Sequence, residues 1–431
     1  MGRVWGRRCA GALLVGALAL GLTGCSPPLD TTFGGGDGIA TTRAFWTGWH
    51  APRAVHVQPD GRIVVLTEVS LAATLTALVR FEPDGTLDQT FGDGGVVVTD
   101  HTVTYRGCSD LALAPDGGYL VVVDTPDAEE VVTPGVVRYH ADGTPDTAFG
   151  DDGIARTTSG YPCGLDVLPD GRIVAGGIGE GGAVTARWTA DGQPDPTYGG
   201  DGLGEAFPTP PWLQGVAATA VEVQPDGGVV AVGDALHRST GDLNGIVLRY
   251  RADGTLDPDF GDGDGVTVTD ATPGGLQRVA VRPDGRVVVL GNQRPYAAPD
   301  GRGFLVAQLT AAGTLDPTFG GGDGVTTALD DATARDLALL PDGDVLLVGG
   351  TAPGGVHDGF LLARFTPDGA LDADYGDRGV GTTDVFPTDE AAYAMAVQPD
   401  GKLVVAGSVG DDNPAVVGSL LGVYRYEAAA G

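Results

Sequence analysis

The tripeptide Pro-Asp-Gly stands ahead of a β-branched run seven times along the chain, and this repeat constrains the fold more than any other feature. The copies follow one another at steps of 54 to 58 residues, which is typical of a repeat protein. A unit of this length cannot bury both faces of a sheet by itself, so neighbouring units must stack on one another. The central aspartates are Asp60, Asp116, Asp170, Asp226, Asp284, Asp342 and Asp400.

Each unit predicts four short antiparallel strands. In the unit that begins at residue 276, Val279 and Val281 alternate with polar or small residues, then come the Pro-Asp-Gly turn and an apolar run over 287–290. A third strand over 304–310, a turn rich in Gly and Asp, and a fourth strand complete the unit. No segment has a helical period, and this pattern is typical of one propeller blade. An aromatic residue followed by Gly also occurs seven times, at Phe33, Phe91, Phe149, Tyr198, Phe260, Phe319 and Tyr375.

The two ends of the chain complement each other. Residues 29–42 read as a fourth strand without a preceding three, and the chain closes on a third strand near Tyr426 without a fourth. Pairing residues 36–42 with that last strand removes the open sheet edges. We therefore predict an all-β fold: a seven-bladed β-propeller of four-stranded antiparallel blades, with the ring closed by the N-terminal strand. An open solenoid is the alternative.

The repeat pattern resembles a known family. The motif Pro-Asp-Gly-(Lys/Arg)-(Ile/Leu)-Val-Val, the Arg-aromatic pair that ends the third strand, and the Asp-Gly-Thr-Leu-Asp-x-Thr-Phe-Gly turn closely resemble the delta-60 repeats of bacterial surface proteins. The resemblance extends from Leu29 to about Glu427. It implies an exported β-propeller in a family without a common activity, so it supplies no catalytic residues.

Residues 1–24 are predicted to be a signal peptide. Three arginines precede an apolar run of about 13 residues, which is the length of an export signal rather than of a membrane span. The sequence Leu-Thr-Gly-Cys at 22–25 resembles a bacterial lipobox, which implies cleavage before Cys25 and lipid attachment to that residue. An ordinary signal peptide is the alternative. Residues 25–28 then form a tether, and residues 29–431 form the propeller, exported and lipid-anchored to the bacterial membrane.

Two cysteines are left once Cys9 is removed with the signal and Cys25 carries lipid. Cys108 and Cys163 occupy nearly equivalent places in adjacent repeats, eight and seven residues ahead of their Pro-Asp-Gly aspartates. In an oxidising compartment an even pair of this kind predicts a disulfide. Two unpaired buried thiols are the alternative.

The chain is strongly acidic, with a formal net charge of −32 spread over its turns. Such a surface repels phosphates, so nucleic acid and anionic lipid headgroups are excluded as partners. We expect a monomer that meets the membrane only through its lipid anchor.

The loops divide into two faces. The turns between strands one and two and between strands three and four lie on one face, here called the turn face, and are nearly identical in all repeats. The other connections differ in every repeat and form the opposite face, called the loop face. Trp46, Trp49 and Trp212 belong to the loop face and are expected to bind an envelope glycan or protein. The alternative is that these side chains cover blade edges.

No constellation of catalytic residues is recognisable, and no cofactor is predicted. An enzyme of the propeller type remains an alternative function, with His50, His101, His237, His357 and nearby acids meeting near the central channel at the loop face. A structural spacer in the envelope is a third. The turn that contains Asp257, Asp259, Asp262 and Asp264 has several oxygens within a short loop and is a candidate for calcium, although no acid closes it at EF-hand spacing.

Overall fold

The structure is a computed structural model and describes most of the chain. The described residues are 27–43, 48–70, 74–102, 109–126, 132–156, 161–179, 182–205, 209–273, 275–293, 303–329, 332–351, 359–385, 390–410 and 418–428. The predicted signal peptide, Cys25, Trp46, Cys108 and His357 lie outside them.

The described residues form a seven-bladed propeller built from antiparallel strands, as the repeat predicts. Within each blade the strands pair in chain order from the axis outwards. Blade 1 contains β2 (Trp49–Val57), β3 (Ile63–Ser70), β4 (Thr74–Phe81) and β5 (Val96–Thr102). Blade 2 contains β6 (Leu111–Leu113), β7 (Tyr119–Pro126), β8 (Val132–Tyr139) and β9 (Ile154–Arg156). Blade 3 contains β10 (Tyr161–Val167), β11 (Ile173–Gly179) and β12 (Gly182–Trp188).

The remaining blades follow the same plan. Blade 4 contains β13 (Leu213–Val223), β14 (Val229–His237), β15 (Leu243–Tyr250) and β16 (Val266–Pro273). Blade 5 contains β17 (Leu276–Val281), β18 (Val287–Gln293), β19 (Gly303–Leu309) and β20 (Val325–Ala328). Blade 6 contains β21 (Ala332–Leu339), β22 (Val345–Thr351), β23 (Phe360–Phe365) and β24 (Val380–Thr383). Blade 7 contains β25 (Ala391–Val397), β26 (Leu403–Gly410), β27 (Ser419–Tyr426) and, from the other end of the chain, β1 (Ile39–Thr42).

The N-terminal strand closes the ring, as the sequence predicts. β1 pairs antiparallel with β27, and Ile39 lies opposite Tyr424. Phe33 occupies the aromatic position that blade 7 lacks in its own repeat, and its ring lies 4.6 Å from the guanidinium carbon of Arg425. The same segment therefore supplies both the outer strand and the core aromatic residue of blade 7.

Blade 3 departs from the four-stranded plan. In the described part of this blade, the fourth position is reduced to one bridge between Ala186 and Leu203. The chain soon reaches Pro210 and Pro211, and proline has no N–H to donate to a strand ladder.

The Pro-Asp-Gly turns have the geometry that the sequence requires. Their glycines, such as Gly61 and Gly343, have φ between 83° and 93°, which favours glycine. The aspartate accepts a hydrogen bond from the N–H two residues later, as Asp60 does from Arg62 at 3.1 Å. Because this turn is reproduced in every blade, it fixes the register of the two inner strands at the turn face.

In blades 1 to 4 and in blade 7, the arginine near the end of the third strand donates to a carbonyl of the next blade. Arg187 of blade 3 is buried, its Nε donates to Asp195 at 2.8 Å, and its Nη1 reaches the carbonyl of Ala252 in blade 4 at 2.6 Å. Its guanidinium also covers the ring of Tyr198 at 4.4 Å. One side chain thus joins the strand, the following turn and the neighbouring blade.

Blade 5 makes the same connection with a different residue. Gln308 replaces the arginine and donates to Asp316 at 2.8 Å. Arg282, from the inner hairpin, donates to Gln308 at 2.7 Å and reaches the carbonyl of Gly343 in blade 6 at 2.6 Å. The contact with the next blade is therefore kept although the repeat departs from its pattern.

Candidate binding face and central channel

Large exposed apolar side chains gather on the loop face. Within the described residues five are exposed, and four of them lie where the chain enters an inner strand or leaves an outer one at that face. Trp49 is 56% exposed and begins β2, and Tyr161 is 38% exposed and begins β10. Trp212, also 38% exposed, immediately precedes β13, and Val385 follows β24. The fifth, Val98, lies within the outer strand β5.

Trp212 is held by its surroundings. Its carbonyl accepts a hydrogen bond from the N–H of Arg238 at 2.8 Å, and its ring centroid lies 5.7 Å from that of His237. The Nε of Arg238 donates to the carbonyl of Leu213 at 2.8 Å. The indole is therefore presented on a fixed hairpin end rather than on a free loop.

Trp49 lies at the seam where blade 7 meets blade 1. Gly48 and Gly418 form a bridge there, and a Cβ on Gly418 would collide with the carbonyl of Gly48. The next residue, His50, is buried, and its Nδ1 donates to the carbonyl of Ser419 at 2.6 Å. Burial lowers the pKa of His50, although the bond to Ser419 acts in the opposite direction. His50 thus stabilises ring closure in its neutral form.

The histidines named for an enzyme lie on separate elements. His50 is on β2, His101 on the outer strand β5 and His237 at the end of β14. Among the described histidines, His56 is the one that lines the central channel. His357 lies outside the described residues.

Cys163 is disulfide-bonded in the structure. Its predicted partner, Cys108, lies outside the described residues, so the pairing stays a prediction. Two of the four aspartates considered for calcium have local hydrogen bonds: Asp257 accepts from Nε of Arg249 at 2.7 Å, and Asp264 accepts from the N–H of Val266 at 3.0 Å. No group of three metal-ligating side chains is found in the part of the chain that the structure describes. Calcium stays an untested prediction.

A central channel runs between the inner strands and contains a cavity of about 640 Å³. Pro169, Gln224 and Pro225 contribute to its wall, so the cavity extends to the turn face. The alternative function as an enzyme predicted a site on the opposite side of the ring, at the loop face. The wall contains seven charged or titratable side chains that the sequence did not single out as a site: Arg53, His56, Asp110, Asp166, Glu222, Arg278 and Asp336.

Most of these side chains connect the inner strand of one blade to that of the next. The connections are His56 Nε2 to the carbonyl of Leu111 (2.7 Å), and three carboxylates that accept from main-chain N–H groups: Asp110 from Leu165 (2.9 Å), Asp166 from Val223 (2.8 Å) and Asp336 from Met395 (2.9 Å). Glu222 accepts from the main chain of Val281 in the same way. These bonds stabilise the ring from inside.

Burial raises the pKa of these carboxyl groups. It outweighs the lowering effect of the charge of Arg278 at Asp110 and Asp336, and of the main-chain donors at Asp110, Asp166 and Asp336. For Glu222, burial and then the neighbouring charge of Asp166 raise the pKa to about 7. Glu222 thus changes its charge near neutral pH.

A β-bulge recurs at one position of the inner strands. In six blades the register shifts at the residue seven positions before the Pro-Asp-Gly aspartate, namely at Arg53, Cys163, Thr219, Gln277, Arg335 and Tyr393. A bulge changes the direction of the side chains that follow it. Channel-lining residues therefore do not follow simple strand alternation.

These features define the class of protein: a closed, seven-bladed β-propeller repeat protein with exposed aromatic side chains on its loop face and charged side chains in its channel. The chain belongs to the family described as the domain of unknown function (DUF5122) beta-propeller. Its family profile matches seven segments that together make up more than half of the chain: residues 58–91, 114–149, 168–198, 224–260, 282–319, 340–375 and 398–420. No curated protein sequence matches the chain at a significant level.

Solved structures share the fold at low sequence identity. A protein of unknown function from Dyadobacter fermentans is 12% identical with a TM-score of 0.47, and the alignment covers 90% of this chain and 98% of that one. Drosophila Semaphorin 2a is 9% identical with a TM-score of 0.49, over 94% and 76% of the two chains. Similarities at this level carry no information about function.

Proposed function

We propose that this propeller is a lipid-anchored, extracytoplasmic binding scaffold, and that its loop face holds a glycan or protein of the cell envelope. The observation that carries the proposal is the gathering of Trp49, Tyr161 and Trp212 on one face of a rigid ring. Exposed aromatic side chains of this kind stack on sugar rings and form hot spots of protein interfaces.

The ring supports this function because it fixes the aromatic side chains in space. Each of the three lies at the start of an inner strand, and inner strands are held to their neighbours by the channel bonds. A ligand that contacts several blades then meets a surface that loses little conformational freedom on binding.

The test is capture from an envelope extract by the immobilised protein. A variant with Trp49→Ala, Tyr161→Ala and Trp212→Ala together is expected to capture at least about tenfold less ligand. The reason is that the loss of one hot-spot aromatic side chain weakens binding by about 1.4 kcal/mol or more, which is tenfold in affinity. The matched control is Val98→Ala, which removes an exposed apolar side chain from an outer strand instead of the loop face. Capture that is equal in all three proteins would refute the assignment of the face.

The anchor is tested separately. Lipid attachment at Cys25 predicts that the protein partitions into the membrane fraction, since two or more acyl chains give stable attachment. Cys25→Ser is expected to move it to the soluble fraction. Membrane retention of that variant would show that another segment holds it. In the described part of the chain, no helix has the length and apolarity to cross a membrane.

A further inference from the structure

At the loop face of blade 4, the start of β13 lies beside the end of β14, and Leu213 pairs with His237. Arg238 follows and is exposed, but three hydrogen bonds hold it in place. Its N–H donates to the carbonyl of Trp212 at 2.8 Å, its Nε to the carbonyl of Leu213 at 2.8 Å and its Nη1 to Oε1 of Gln214 at 3.4 Å. The guanidinium is therefore fixed next to Trp212, whose side chain is exposed.

Arg238 has no carboxylate partner. It forms no ion pair with the described residues, although the chain has 57 acidic and only 25 basic residues. Asp242 accepts from the N–H of His237 through its main-chain carbonyl, and its carboxylate pairs with neither His237 nor Arg238. Because the bonds of Arg238 all go to neutral groups, its charge and its Nη2 donors remain available to a ligand.

His237 presents a second donor. Its Nδ1 accepts from the N–H and the hydroxyl of Ser239 and from the N–H of Thr240, at distances of 3.1 to 3.4 Å. Because Nδ1 is an acceptor, the proton of the neutral ring lies on Nε2, and no described residue accepts from it. The imidazole centroid lies 5.7 Å from that of the Trp212 ring. Two donors that lack an acceptor therefore lie close to one exposed aromatic ring.

This arrangement selects a ligand that carries acceptors. A guanidinium matches the two oxygens of a carboxylate, and the exposed indole offers a flat surface on which a ring can stack. The net charge of −32 repels anions at long range, but salt screens charges beyond about 8 Å. One carboxylate in contact with Arg238 is therefore compatible with the acidic chain, whereas a polyanion is not.

The surroundings of Trp212 favour a sugar over a protein. Gln214, Ser239 and Thr240 are exposed polar residues of the same two segments. The aromatic hot spot of a protein interface is instead surrounded by contacts that exclude water. The hydroxyl groups of a sugar can pair with polar side chains of this kind while its ring covers the indole.

We propose that Trp212, Gln214, His237 and Arg238 bind a sugar with a single carboxylate, whose ring stacks on Trp212 and whose carboxylate pairs with Arg238. This ligand class rests on the binding function proposed for the loop face. Of the two kinds of ligand proposed for that face, it selects the glycan.

The probe is methyl β-glucuronide, compared by calorimetry with methyl β-glucoside, which lacks the carboxylate, and with acetate, which lacks the ring. We expect the glucuronide to bind with a dissociation constant of about 1 mM, which is usual for a ligand of this size, and the other two to bind at least about tenfold more weakly. Equal affinity of the glucoside would overturn the pairing with Arg238, and equal affinity of acetate would overturn the stacking on Trp212.

Two further results would overturn the proposal. One is the absence of glucuronide binding up to about 20 mM. The other is tighter binding of a peptide with blocked termini and one aspartate, which would assign the site to a protein ligand.

Variants locate the binding on blade 4. Arg238→Gln removes the charge, so it is expected to weaken the glucuronide about tenfold and to leave the binding of the glucoside unchanged. Arg251→Gln changes an arginine of the same blade at the turn face, 48% exposed, and is the matched control that should bind as the parent does. Equal losses in the two variants, or no loss in Arg238→Gln, would refute the role of Arg238.

Capture from the envelope extract separates this ligand class from the function on which it rests. If Arg238→Gln captures as the parent does while the triple aromatic variant loses the ligand, the loop face binds a ligand but the acidic sugar is refuted. If the triple aromatic variant captures as the parent does, the binding function of the loop face is itself refuted.

Discussion

The Nε of Arg425 and the Oδ2 of Asp30 lie 2.7 Å apart, and this pair joins the last strand of the chain to its first described segment. Asp30 is fully buried and also accepts from Nζ of Lys402 at 2.7 Å. Burial alone would raise the pKa of Asp30, but the bonds from Lys402 and Thr32 and the charge of Arg425 hold it well below its usual range. The carboxylate is therefore the ionic centre of ring closure.

Asp30→Asn is expected to destabilise the fold by about 3–5 kcal/mol, because it leaves Arg425 and Lys402 near a neutral group in a buried site. The measurement is denaturant unfolding. Asp259→Asn, whose parent side chain is 85% exposed, is the matched control and should change stability by less than about 0.5 kcal/mol. Similar losses in both variants would mean that ring closure does not depend on the ionic pair.

Acid should weaken the closure in the same way. Since the pKa of Asp30 is lower in the folded protein, its contribution is present above the unfolded value near 4 and is lost as pH falls through the folded value. We expect the parent to lose stability more steeply than Asp30→Asn below about pH 4. Parallel pH profiles of the two proteins would contradict this assignment.

Glu222 gives the opposite dependence on pH. Its folded pKa of about 7 lies above the usual value of 4.5, so the folded state holds the proton more tightly and stability falls as pH rises between those values. The decrease is at most about 3 kcal/mol. Glu222→Gln should remove this slope, and Glu427→Gln, which changes a partly exposed carboxyl group, should keep it. A slope that persists in Glu222→Gln would assign it to another carboxyl group.

Blade 5 allows a test of the arginine that connects the blades. Arg282→Met removes the contact with the carbonyl of Gly343 and leaves Gln308 without its donor, so we expect a loss of about 2–4 kcal/mol. Arg378→Met changes an arginine whose side chain is 84% exposed and pairs with Asp377 at the surface, and should cost less than about 1 kcal/mol. The measurement that checks these two expected losses is the thermal unfolding of both variants.

The disulfide is checked by mass spectrometry of unreduced peptides. A cross-linked pair that contains Cys108 and Cys163 is the expected product, and it should separate on reduction. Cys163 linked to any other thiol would refute the predicted pairing.

Much of the fold can be predicted from the sequence because each blade repeats the same local requirements. The positive φ of Gly61 and its equivalents, and the aspartate that caps the same turn, are local properties that a tripeptide specifies. Ring closure is also visible, because the segment with Phe33 and the final strand are complementary parts of one blade.

The channel was harder to predict, for a geometrical reason. Asp110 and Asp336 stand six residues before their Pro-Asp-Gly aspartates, whereas Asp166 and Glu222 stand four residues before theirs. Because these residues stand at two different distances from the Pro-Asp-Gly turn, the sequence does not show that they line one channel. The bulge determines which side chain of the inner strand lies at the axis. Tyr161 was missed because an aromatic residue at the start of a strand is equally typical of a core position.

The pairing of β1 with β27 has a consequence for the order of events during synthesis. β1 leaves the ribosome before the other described strands, and its partner β27 leaves after them. Until β27 is made, this edge strand lacks its partner, and an unpaired edge is open to contacts with other chains. β1 has only four residues, and it follows a glycine-rich turn. A short strand of this kind has few free N–H and C=O groups with which another chain could pair while blades 1 to 6 assemble. The ring then closes when blade 7 is complete.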